Sequence, residues 1–188
     1  LTDPEDAVAC ARTVLAPFMV GDPMAEQLDA ICADAFTFPL PLVDVRDGLA
    51  VLELFWGPTA AFKDVGARFL AACLQRCTSD AEPCWVMVAT SGDTGGAVAA
   101  AFWRRPGFRV AVLFPDEGVS ARQRHQLTCW GDNVHSFAVR GVFDDCQALL
   151  KSALADEGWR SRRAMTTANS INIGRLLPQV VYYAMAGT

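Results

Sequence analysis

Long apolar runs are missing from this sequence. None approaches the roughly twenty residues that span a bilayer, and Leu1-Thr2-Asp3-Pro4 lacks the basic region and apolar stretch of a signal peptide. A soluble, cytoplasmic protein without a membrane partner is therefore expected. Clustered positive charge is also scarce. The net charge is -5 and the pI about 4.9, whereas a phosphate backbone calls for grouped Lys and Arg, so no nucleic-acid partner is expected. The densest basic stretches, Arg160 to Arg163 and Arg122 to Arg124, are short and read as solvated helix ends. Two phosphate-binding fingerprints are absent as well: neither GxxxxGK[ST] nor GxGxxG occurs.

Apolar residues are abundant. At 52% hydrophobic and 20% charged, with mean hydropathy +0.22, the chain can bury a substantial core. Its seven cysteines, at positions 10, 32, 73, 77, 84, 129 and 146, are odd in number and dispersed, unlike a secreted disulfide framework. Cys73 with Cys77 and His125 with Cys129 have a spacing that could share a metal. With only two histidines and no second clustered pair, buried reduced thiols are the expectation, and no metal.

Punctuation divides the chain. Asp3-Pro4-Glu5-Asp6 and Asp22-Pro23 each place a cap and a first-turn proline before an apolar periodic run, predicting two helical patterns over 3–35. After Pro39 and Pro41, residues 42–45 and 49–55 read as strands joined at Arg46-Asp47-Gly48. Beyond Phe62, helical patterns at about 62–77, 95–104, 119–130 and 142–157 alternate with the apolar runs 84–89, 108–114 and 134–139. Continuously apolar strands separated by helices predict an α/β unit: a parallel sheet in a three-layer α/β/α arrangement behind a helical N-terminal segment. Residues 171–186 form an apolar helix-like run in which Pro178 must lie near a helix start or make a kink. Such a run at the end of the sequence suggests that the natural protein continues.

Ligands bind where strands give way to helices in open parallel sheets, and three loops qualify. In 57–64, Lys63 opens a helix among Phe55, Trp56 and Phe62, where the helix's positive end and partial desolvation disfavour its charged form. The amine becomes a usable nucleophile or base; an ordinary surface lysine contacting a residue one turn away is the alternative. In 90–96, glycines and hydroxyls at a helix N-terminus suit a carboxylate or phosphate, although Ser91 or Asp93 could simply cap the helix. In 166–175, amides, hydroxyls and Arg175 could hold a second anion, or Ser170 or Asn172 could be caps.

In combination these loops resemble the threonine synthases, pyridoxal-phosphate enzymes of the tryptophan synthase β-like fold type II. The matching pieces are 52–64 (LELFWGPTAAFKD), 89–95 (ATSGDTG) and 169–177 (NSINIGRLL), with 143–149 (FDDCQAL) between them. The resemblance implies that Lys63 is catalytic and carries the cofactor, that Ser91, Gly92, Asp93, Thr94 and Gly95 contact cofactor, and that Ser91 and Thr94 also meet substrate. It extends the substrate set to Thr59, Asn169, Ser170, Asn172 and Arg175. The implied reaction converts O-phospho-L-homoserine and water to L-threonine and phosphate, with a small-molecule substrate and a monomer or homodimer. Ala61, where many relatives of this fold type have serine, resembles the longer-chain branch. The family's opening residues are expected before Leu1, and its glycine-rich cofactor-phosphate loop and pyridine-nitrogen partner after Thr188. The implied organisation is an N-terminal helical segment and strand pair (1–55), a small α/β domain with the lysine (56–168), and the return into a larger cofactor domain (169–188). The rival readings are a threonine-synthase-like phospho-lyase, a non-catalytic homologue kept as a binding module, and a nucleotide-binding domain.

Overall fold

A strand with apolar side chains on both faces must be covered on both, and this requirement organises residues 77–172. The computed structural model describes residues 4–78 and 82–187. In chain order its elements are α1 Pro4–Leu15, α2 Leu28–Ala35, β1 Leu42–Arg46, β2 Leu49–Leu52, α3 Lys63–Gln75, β3 Cys84–Ala89, α4 Asp93–Phe102 and β4 Phe108–Pro115. There follow α5 Ala121–Thr128, β5 Val134–Val139, α6 Phe143–Ala155, α7 Glu157–Arg160, β6 Met165–Thr167, α8 Ile173–Leu176 and α9 Val180–Ala186. The chain divides into two compact units, Cys77–Asn172 on the one hand and Leu1–Arg76 with Ile173–Thr188 on the other.

The first of these units holds a sheet of order β5-β4-β3-β6 in which every neighbouring pair is parallel. Val86, Val88, Val110 and Val112 are all fully buried. Helix α4 packs on β3 and β4, and a β-carbon at its Gly95 would lie 3.0 Å from Val112 Cγ1. The alternate residues Met87, Ala89, Ala111 and Leu113 point the other way, against Cys146 and Leu150 of α6. Helices therefore cover both faces, giving the expected three layers. Each buried Val contributes roughly 1.5 kcal/mol or more, so the valine face alone is a large share of this unit's stability.

The second unit is mostly helical. Ala7, Ala11 and Leu15, four residues apart on α1, are fully buried in one cluster with Ile31 and Cys32 of α2, Phe69 and Cys73 of α3, and Val181, Tyr182 and Met185 of α9. Arg68 of α3 donates to the carbonyls of Asp34 (2.6 Å) and Ala35 (3.2 Å), satisfying the carboxyl end of α2.

Several boundaries differ from those expected. Helix α3 and Lys63 belong to the helical unit and not to the sheet unit, because Val65, Phe69, Ala72 and Cys73 pack into the helical core. Residues 173–187 return to that same core. Strand β2 stops at Leu52 instead of reaching 55: Glu53 N still donates to Pro41 O (2.9 Å), but Pro41 and Pro39 have no N–H with which to continue the ladder. Pro178 sits in a 3-10 turn, Leu177–Gln179, which separates α8 from α9. No helix among the described residues is long and apolar enough to cross a membrane.

All seven cysteines are free thiols, but they are not uniformly buried: Cys77 and Cys129 are exposed and Cys10 is half-buried. Burial, with Asp29 nearby, pushes the Cys32 thiol up to about 12. Native-state titration with an aromatic disulfide should therefore release two fast equivalents, mapping to Cys77 and Cys129. The thiols of Cys32, Cys73, Cys84 and Cys146 should react only on unfolding.

Candidate active site

Strand β3 ends at Ala89, and the next residue shapes all that follows. Thr90 is 2% exposed. Its hydroxyl accepts from Gly92 N and Gly95 N and donates to Gly92 O, each at 3.0 Å. One side chain thus folds the 90–92 turn back on itself and fastens it to the first turn of α4. Gly92 has φ +158° and ψ -112°, and a β-carbon there would lie 2.5 Å from Gln123 Nε2, so the position admits only glycine. Gln123 is itself fixed by the capping box it forms with Ser120 at the start of α5.

Beside this turn lies a cleft of about 110 Å³ lined by Ala89, Thr90, Ser91, Thr94, Phe143, Gln147, Asn169 and Ser170. No charged side chain lines it. Thr94 lies in the first turn of α4, and Phe143 and Gln147 in the first two turns of α6, so the amino ends of two helices border the cleft. Partial positive charge from those ends, with hydroxyl and amide donors around them, suits a carboxylate or a phosphate oxygen. Asn169 is held there because its side-chain carbonyl accepts from Ala89 N (3.2 Å), extending the β3–β6 ladder one step beyond Ala168 N to Met87 O (3.0 Å).

Of the residues expected from sequence, Ser91, Thr94, Asn169 and Ser170 come together in this cleft. Asp93 opens α4 and is exposed, while Gly95 is buried in the helix's first turn, where a β-carbon would lie 2.6 Å from Leu127. Its lack of a side chain serves helix-to-strand packing. Asn172 instead donates to Thr167 O (2.9 Å). Arg175 belongs to the helical unit, does not line the cleft, and is 2% exposed. Three contributors escaped the sequence reading. Thr90 had a local signal, a hydroxyl two residues before a glycine. Phe143 and Gln147 lay in the matching segment 143–149 but had no signal of a place in the site, because only the packing of α6 against β3 brings them near Asn169.

Lys63 is the first residue of α3 and is half-buried, with Nζ 4.5 Å from the centroid of the Phe62 ring. Phe55 and Trp56 stack on each other at 5.8 Å and are both about half exposed. The chain contains two lysines, and the other, Lys151, is exposed on α6. Next to Lys63, Asp64 is 1% exposed. Its carboxylate accepts from Thr59 N (3.0 Å) and Thr59 Oγ1 (2.6 Å). The hydroxyl proton of Thr59 is thereby committed, leaving its oxygen as an acceptor. Burial raises the Asp64 pKa above its ordinary 3.8, opposed by the Thr59 and Ala61 hydrogen bonds and by Arg68. Among the described residues no group of His, Cys, Asp or Glu forms a metal site.

The family model described as pyridoxal-phosphate dependent enzyme matches residues 41–176, which include Lys63, the 90–95 loop and the cleft. The chain belongs to the pyridoxal-phosphate dependent enzymes. A threonine synthase of Escherichia coli is 42% identical to this family member over 178 residues, covering 95% of the chain. The crystal structure of threonine synthase from Escherichia coli superposes on it with a TM-score of 0.87. That of pyridoxal-phosphate-bound threonine synthase from Brucella melitensis does so at 0.85, with 38% identity over 96% of the chain. The chain spans about 41% of the length of the Escherichia coli protein and 40% of that from Brucella.

Thr90→Val keeps the shape of the side chain and removes the hydroxyl, and should cost about 1–3 kcal/mol in denaturant unfolding, with Thr90→Ser close to wild type. Asp64 gives a separate test. Because its folded-state pKa is raised, the stability linked to its proton is complete below the ordinary value of 3.8 and is lost as pH climbs through the raised value. Asp64→Asn should therefore remove a decline in urea midpoint that the wild type shows on going above that pH.

Proposed function

We propose that this chain is part of a threonine synthase, which converts O-phospho-L-homoserine and water to L-threonine and phosphate with pyridoxal phosphate held on Lys63. The observation that carries the reading is the extent of the family match, which runs through all three expected loops and not through one alone. The residues also fit the cofactor and substrate. A half-buried lysine opens a helix, and a neutral, donor-lined cleft lies at two helix amino ends.

In this reading bound pyridoxal phosphate supplies the electron sink that stabilises negative charge developing on the substrate. Lys63 holds the cofactor and moves protons at the substrate's α and β carbons, so that phosphate leaves from the γ carbon and water adds at the β carbon. Ser91, Gly92, Asp93 and Thr94, with Gly95 setting their backbone, form the loop facing the substrate carboxylate and the cofactor ring. Asn169 and Ser170 bind anionic oxygen in the cleft, and Thr59 and Asn172 belong to the same substrate set. Such positioning raises the rate because proton removal requires the bond at Cα to stand perpendicular to the conjugated ring. The same proposal places the protein in the cytoplasm, as a fold type II enzyme and a monomer or homodimer. It also takes the segment from residue 169 as the return into a larger cofactor domain.

Borohydride reduction of the full-length protein in the presence of pyridoxal phosphate should tag Lys63 and leave Lys151 unmodified. In the full-length protein, Lys63→Ala should abolish the tag and lower threonine formation by about 10²-fold or more. A tag elsewhere, or none, would refute the assignment. Counting threonine and phosphate separately tests the product: phosphate without threonine would replace the synthase with a phospho-lyase.

A further inference from the structure

Phe62 and Lys63 share a peptide bond, so whatever fixes the Phe62 carbonyl also fixes the amide nitrogen from which the Lys63 side chain departs. That carbonyl accepts a hydrogen bond of 2.5 Å from Tyr182 Oη, across 120 residues of sequence. Tyr182 lies on α9, is 3% exposed, and packs in the helical core beside Val181 and Met185. A second contact between the same segments lies close by. A β-carbon at Gly66 would sit 2.6 Å from the Arg175 carbonyl oxygen, so α3 and α8 cross at the shortest approach that a glycine permits. On the other side of the lysine, Asp64 is tied to Thr59 by two hydrogen bonds. The backbone of Lys63 is therefore held on both flanks.

We propose that Tyr182 is a positioning residue for Lys63, its phenol setting the direction of the reactive amine through the Phe62 carbonyl. The inference rests on the reading of Lys63 as the cofactor-bearing lysine. Burial, reinforced by Asp64, pushes the Tyr182 phenol above the ordinary 10, so its proton stays in place to be donated. The hydroxyl is not required for filling space, since phenylalanine would occupy the same volume.

The test exploits the chain's two lysines. Competitive labelling with trace acetic anhydride, followed by mass spectrometry, gives the ratio of Lys63 to Lys151 modification without any cofactor present. In Tyr182→Phe this ratio should rise by about fivefold, the factor associated with losing one buried hydrogen bond. Val181→Ala, which opens the same core without touching the hydrogen bond, should lower the urea midpoint and leave the ratio within about twofold of wild type. An unchanged ratio in Tyr182→Phe overturns the inference, and so does an equal change in Val181→Ala, which would mark a merely structural role. Should Tyr182→Phe fail to fold, 3-fluorotyrosine at both tyrosines strengthens the donor and should lower the ratio by about twofold, with no change again overturning it. Failure of borohydride to tag Lys63 in the wild type would refute the functional reading instead, and leaves the labelling ratio as an independent measure of the Tyr182 contact.

Discussion

A buried parallel strand must end somewhere, and the backbone amides beyond its last residue then need acceptors away from water. At the carboxyl end of β3 that need is met by one hydroxyl, Thr90 Oγ1, which takes two amide protons and gives its own to a carbonyl. The rest of the site in the sheet unit depends on it. The turn places Ser91 on the surface and begins α4 early enough for Thr94 to reach the cleft. It also leaves room for Asn169 to hydrogen-bond to Ala89 in place of a further ladder rung. The cleft made this way has no charged side chain in its lining. Its polarity comes from hydroxyl and amide groups and from helix ends, which do not titrate.

The lysine turn solves a different problem. The peptide groups around a lysine that opens a helix have to be held in place from both sides. Asp64, the adjacent acid, is turned inward and engaged by Thr59, while Tyr182 secures the preceding carbonyl. The costs are a carboxylate with raised pKa and a buried phenol, both tolerated because each has a hydrogen-bond partner. Polar groups of this kind sit in an otherwise apolar cluster of α1, α2, α3 and α9, and the cluster's packing makes their placement rigid.

Much was legible from local pattern. The apolar runs of β3, β4 and β5 and the intervening helices emerge at nearly the expected positions, because a strand covered on both faces leaves a contiguous signal that needs no partner to be read. The 90–96 loop stands where expected for the same reason, whereas the 57–64 loop follows antiparallel β2 and leads into the helical unit, and 166–175 runs from the end of β6 into α8. Local signals failed where a partner far along the chain decided the outcome. Proline at 39 and 41 denied β2 its ladder, and the apolar face of α3 matched the helical core better than the sheet.

By itself the sequence determined the parallel sheet, the helix-opening lysine and the glycine-rich turn, since each follows from side-chain size, periodicity and backbone freedom within a few residues. Only the tertiary structure decided that Gln147 and Phe143 join Asn169 in one cleft, that Arg175 is buried within the helical unit, and that Tyr182 reaches the lysine turn. Those outcomes depend on contacts between segments tens of residues apart, whose cost in chain entropy is met by the packing of the whole core and leaves no mark on the neighbouring residues.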